Sequence, residues 1–198
     1  MLVRHRDREP SIDATAYIAP SAVIVGDVRI GASARVLHGA VITAEDGEVT
    51  VGENTVVMEH ALIRGRSGHP ARIGSAVMIG PNAHVNGSVV ADEVFIATGA
   101  SLFPGSFVGR GAEVRINGVV QVNTVLAPGD VVPIGWIAVG SPASILSPER
   151  HEEIWAIQQE LDFAGTVYGV GREMSMRELM RQQSEYYGSH ASDHVLDR

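Results

Sequence analysis

Two short segments, ENTVVMEHALIR and IGPNAHVNG, hold the side chains with which this chain could do chemistry. His60 and His84 are candidate general bases toward a hydroxyl or amine, and with an oxygen from Glu59 they are also candidate metal ligands. His69 lies on the stretch between the two segments. Arg64, with Glu59 nearby and Asn82 and Asn86 on the second segment, makes a polar set suited to a carboxylate or another small anion. Plainer readings stand beside these. Surface histidines are frequent in repeats, neither His60 nor His84 has the spacing of a paired ligand motif, and Arg64 and Glu59 can form an ion pair between subunits. Further on, VRINGVVQVNT puts Arg115, Asn117, Gln121 and Asn123 on a repeat surface, where stacked asparagines are structural.

The elements that must position these residues follow from a repeat. An aliphatic residue recurs every six positions: Ile18, Ile24, Ile30, Val36, Ile42; then Val51, Val57, Ile63; then Ile73, Ile79; then Val90 through Ile96, Leu102, Val108, Val114, Val120 and Leu126 to Val132. A small or β-branched residue usually follows four positions later, as at Ala34, Ala61, Ala83 and Ala112. Strands repeat every two residues and helices every 3.6, so a period of six means one short strand and one corner per unit. Three units close a triangular coil whose aliphatics point inward and stack. The expected fold is mainly β, a left-handed parallel β-helix with C-terminal α-helices. Breaks in the register at TAEDGEVT and RGRSGHPAR predict loops leaving the prism, and an eleven-residue step from Ile79 to Val90 turns either His84 or Val85 inward. The division expected is an N-terminal segment at 1–10, the coils at 11–146, C-terminal helices at 147–188 and a flexible tail at 189–198. Ser147, Pro148 and Glu149 start one helix with the stripe Ile154, Ile157 and Leu161; FAGTVYGVG is a linker; Ser175 and Glu178 cap a second helix that stops at Gly188.

Composition narrows the chemistry. The 198 residues contain no cysteine, which removes thiolate zinc sites and cysteine nucleophiles, and all 15 cations are arginine, which removes Schiff-base lysines. A net charge of −8 without a basic cluster argues against a nucleic-acid partner. No apolar run is long enough for a membrane span and the polar start MLVRHRDREP lacks a signal peptide's apolar core, so a cytoplasmic protein without a membrane partner is expected.

The period of six, the closing VGSPASIL and the C-terminal helix resemble the γ-class carbonic anhydrase and hexapeptide acyltransferase superfamily, over roughly residues 10–161. In the γ-class pattern three histidines hold zinc between two subunits of a trimer. The resemblance puts Arg64, Pro81 and Asn86 at the histidine positions, Thr43 and Glu45 at an Arg and an Asp, and Met58 and Glu59 at a Gln-Asp pair. Proline offers no donor and arginine keeps its proton, so the family's zinc hydroxide chemistry does not carry over. The leading expectation is a homotrimer with a remodelled site between subunits, Glu59, His60 and Arg64 of one chain facing His84 and Asn86 of the next, and a small anion as ligand. Two alternatives stay open: an acyltransferase with His60, His84 or His38 as base and Arg110 and Arg115 near the phosphates of acyl-CoA, and a zinc enzyme with ligands relocated to His60 and His84.

Overall fold

In a computed structural model, which describes residues 1–196, strands of two to four residues wind into three sheets of ten, seven and seven strands. They form a left-handed parallel β-helix of about eight turns. One face, called here the first, runs from Leu2–Arg4 through Val23–Val25, Val41–Ala44, Leu62–Gly65, His84–Asn86, Ser101–Leu102 and Val119–Val120 to Ile137–Val139. The second begins at Ser11–Ile12 and the third at Tyr17–Ile18.

The repeated aliphatics explain the winding. On the first face Ile24, Ile42, Ile63, Val85, Leu102, Val120 and Ala138 are successive ladder partners, and each is fully buried. Of the period-six aliphatics only Ile18 is not fully inside. The register slip is resolved in favour of Val85, which faces inward, while His84 faces out. Corners need backbone that turns sharply, and residues in the left-handed region supply it. One corner column is Gly39, His60, Asn82, Gly99, Asn117 and Gly135, all with positive φ.

Both register breaks emerge at the corner between the first and second faces. Residues 45–48 and 66–69 leave the prism there, the latter closed by reciprocal backbone bonds between Arg66 and His69. The same corner carries a third turn at His5 and Arg8, because Leu2–Arg4 already belongs to the first coil. The expected N-terminal segment at 1–10 thus begins inside the β-helix.

After the coils the chain returns along the first face as a strap. Helix α1 (His151–Glu160) places Ile154, Ile157 and Leu161 against Val139 and Leu146. The expected linker instead contains a short helix, α2 (Phe163–Tyr168), started by the Asp162 side chain accepting from the Gly165 N–H and ended by Gly169 at φ 69°. In α3 (Met176–Tyr187) the Ser175 hydroxyl caps the Glu178 N–H as expected, whereas the Glu178 carboxylate pairs with Arg181. The helix ends at Gly188 as expected, although this glycine keeps a right-handed φ of −59° and a 3₁₀ helix, Gly188–Ser192, follows.

The described part of the expected flexible tail is regular structure. His194–Leu196 pairs antiparallel with Leu2–Arg4, and Ser144–Leu146 pairs antiparallel with Ile137–Val139, so both edges of the first face are covered. Polar bonds, not an apolar stripe, hold this turn down, which is why periodicity did not reveal it. Asp193 accepts from His5 Nδ1–H at 2.6 Å and from His190 Nδ1–H at 2.8 Å, while His190 Nε2–H donates to Glu45 at 2.9 Å. The remainder of the tail, residues 197–198, lies outside the described residues. No helix among the described residues is long and apolar enough to cross a membrane.

Candidate functional site

Alternation along each strand decides which side chains leave the prism. Because Ile42, Ile63 and Val85 point inward, Thr43, Arg64 and Asn86 point outward, and their backbones are direct ladder partners in that order. His84 sits two residues before Asn86, opposite Leu62. Of the three positions that the resemblance assigns to zinc, Arg64 and Asn86 therefore adjoin on the first face. Pro81 lies on the other side of His84, just past Met78–Ile79 of the third face, beside a hollow lined by Met78, Phe95, Ile116 and Ile134.

Polar atoms at this place are buried and left over. Arg64 Nε, His84 Nε2, Asn86 Oδ1 and, two coils on, Gln121 Oε1 are shielded from solvent without a hydrogen-bond partner. Such atoms cost free energy on the order of 1–3 kcal/mol each unless a ligand, water or second chain satisfies them. The Arg64 guanidinium lies 5.9 Å over the Tyr187 ring of the strap, and its Nε is 4.0 Å from Glu45 Oε1. The carboxylate beside Arg64 is thus Glu45 and not Glu59. Thr43 Oγ1 donates to the same Glu45 oxygen at 3.0 Å. Burial, and after it the charge of Arg64, hold the His84 imidazole below the usual histidine range. Its ring meets Phe103 edge-on at 6.5 Å, and Phe103 in turn meets Phe163 of the strap.

The expected constellation is thereby divided. Arg64, His84 and Asn86 share the first face, whereas His60 and Asn82 occupy the left-handed corner column at φ 58° and 57°. The His60 N–H bonds to the His38 carbonyl and the Asn82 N–H to the Glu59 carbonyl, one coil back in each case. His60 is exposed, and its ring fills the space over Gly39 where a Cβ would stand. These two residues have a structural task that the sequence pattern did not distinguish from a site. His69 is in the 66–69 turn, where burial and then Arg66 lower its pKa. Asn123, read as part of a ladder, bonds the Leu161 carbonyl and Thr166 hydroxyl and so anchors the strap.

The family's zinc does not fit here. At the three positions that the resemblance assigns to imidazoles stand a guanidinium, a proline and a primary amide, and none of them supplies a neutral nitrogen lone pair. Missed in the sequence were His5, His190, Asp193 and Tyr187, since a contact between residues 5 and 190 has no local signal.

The geometry defines the class, a hexapeptide-repeat β-helix with a polar site on an outer face. Comparison with known proteins agrees. Gamma carbonic anhydrase 1, mitochondrial, of Arabidopsis thaliana is 36% identical over 170 residues, covering 80% of this chain and 60% of that protein. A probable carbonic anhydrase of Methanocaldococcus jannaschii is 32% identical over 91 residues, 46% of this chain and 57% of that one. Among solved structures, a hexapeptide transferase family protein from Anaplasma phagocytophilum superposes with a TM-score of 0.53 at 26% identity, covering 82% of this chain and 92% of the other. No family model matches the chain. The chain is thus similar to the γ-class carbonic anhydrases in sequence and shares the hexapeptide-repeat β-helix in fold. It spans about three fifths of the length of the plant relatives.

Proposed function

We propose that this protein is a homotrimer of γ-carbonic anhydrase-like subunits whose intersubunit site has exchanged zinc for an arginine and binds a small anion such as a carboxylate or bicarbonate. The observation that carries this reading is the trio Arg64, His84 and Asn86, each with a buried polar atom lacking a partner; the resemblance assigns zinc-ligand positions to Arg64 and Asn86, and His84 stands beside them. Arg64 supplies the charge and Asn86 an amide, and a neutral His84 supplies one further hydrogen bond. Support for the trimer is the exposed apolar pair Met78 and Phe95 beside Pro81 on the third face, with Tyr17 and Val131 exposed further along it beyond Arg35 and Glu113. In that assembly Pro81 of one subunit closes the site against Arg64 and Asn86 of another. A cytoplasmic location belongs to the same reading, and cell fractionation tests it.

The test combines sedimentation, a hydration assay and thermal shift. A trimer is expected, with carbon dioxide hydration no faster than the buffer control whether or not zinc is added. Millimolar bicarbonate or acetate is expected to raise the thermal midpoint of the wild type and not that of Arg64→Ala. Zinc-dependent hydration abolished by His84→Ala overturns the reading.

An acyltransferase is the second reading, favoured by the likeness to the hexapeptide transferase family protein and by the neutral, half-buried His84 as a base. Against it, Arg110 is paired with Asp92 and Glu93, and Arg115 with Glu113, so CoA phosphates would have to displace carboxylates from both. A thermal midpoint unchanged at saturating acetyl-CoA removes this reading.

A further inference from the structure

We propose that the polar turn tying the strap to the first coil is a divalent transition-metal site, with His5, Glu45 and His190 as ligands and Asp193 as the carboxylate that orients both imidazoles. One donor atom from each of the three ligands lies within 4.8 Å of the others. His5 is 1% exposed, and while its Nδ1–H is committed to Asp193, its Nε2 is buried without any partner. A buried ring nitrogen left in that condition costs free energy until a partner reaches it, and a cation is a partner that imidazole nitrogen readily takes.

The second carboxylate oxygen of Asp193 accepts from His190 Nδ1–H, so a single side chain fixes the tautomer of both rings and leaves Nε2 of each for a metal. Histidine ligands of metals are held in this manner by a carboxylate behind the ring. The two rings stack with centroids 4.3 Å apart, which keeps them together as a unit. Glu45 is 4% exposed; its Oε1 is held by Thr43, and its Oε2 faces His190 Nε2 at 2.9 Å. That short bond contains the proton a metal displaces: the proton leaves to solvent, and His190 Nε2 and Glu45 Oε2 both turn to the cation.

Two imidazole nitrogens and one carboxylate select zinc, cobalt, nickel or iron over calcium and magnesium, which take oxygen ligands. The ligands come from the first coil, the 45–48 loop and the strap, so the ion would staple the two ends of the chain together. This site shares no ligand with the Arg64, Pro81 and Asn86 positions, although Glu45 Oε1 lies 4.0 Å from Arg64 Nε and so joins the two.

Untagged protein is stripped with a chelator, dialysed against zinc or cobalt, and measured for metal per chain, for visible cobalt absorption and for thermal midpoint. One metal per chain is expected, with a cobalt band in the visible and a raised midpoint. His190→Ala and His5→Gln should each abolish stoichiometric binding, and Asp193→Asn should weaken it ten- to a hundredfold. His60→Ala and His84→Ala should leave it intact. Far-ultraviolet circular dichroism checks the fold; if His5→Gln does not fold, the half-buried His190 variant decides. Absence of binding at millimolar zinc overturns the proposal, as does metal that is retained in His190→Ala or lost in His84→Ala.

Discussion

The prism and the strap across its first face are held by different forces. Inside the prism each aliphatic sits between two others in an unbroken column, so every coil is stabilised by its neighbours and hydrophobic burial dominates. The strap has few buried apolar anchors, chiefly Ile154, Val167 and Leu179, and is otherwise tied by polar contacts such as Tyr186 to Asp46 and His190 to Glu45. One region is a repeated scaffold, and the other is a single-copy element placed over the face that holds the buried, unpartnered atoms of Arg64, His84 and Asn86. The scaffold can accept different side chains at these positions without losing shape, because Arg64 and Asn86 point away from the columns that hold it together.

Substituting within a column is the strongest way to break this contrast. Ile63→Ala removes a fully buried side chain from between Ile42 and Val85. A loss of about 2–5 kcal/mol is expected, read from urea denaturation at fixed protein concentration. Strap and coils should unfold together in this variant. Leu179→Ala sharpens the contrast from the other side. Its expected effect is at the low end, about 2 kcal/mol, and is spent on the strap, because satellite elements open separately from the core. Limited proteolysis should cut within residues 170–188 while hydrogen exchange in the coils stays slow. Equal acceleration of exchange in both regions would show that strap and prism are a single cooperative unit.

The two regions also differ in how much the sequence disclosed. The period of six located the inner columns almost residue by residue, since a coil must present an aliphatic at the same point of each turn. Even the slip near His84 was visible as an eleven-residue step, and only burial decided that Val85 and not His84 goes inside. Side chains on the outer surface carry no such constraint. His60 and Asn82 looked like site residues because their types suit chemistry, yet they serve as left-handed corners. Glu45 was visible only as the counterpart of a family aspartate, and its partners His5 and His190 are brought to it by the strap, through contacts between positions far apart in the chain. Short elements were the hardest to read: α2 depends on one aspartate cap and one glycine.

The smallest expected effect concerns the first face itself, where the strap meets the prism. His84 has a folded-state pKa below its unfolded value, owing to burial and then to Arg64. The unfolded chain therefore takes up the proton first as pH falls, and the stability contributed by neutral His84 is present above about pH 6.5 and lost through the interval down to the folded value. His84→Gln removes that titration. Denaturation midpoints of wild type and variant, compared between pH 7.5 and pH 5, should show the wild type losing ground to the variant on acidification; the other histidines are common to both proteins and cancel. A gap that moves in the wild type's favour instead means that protonated His84 has found an acceptor, and the neutral hydrogen-bonding role assigned to it beside Arg64 fails.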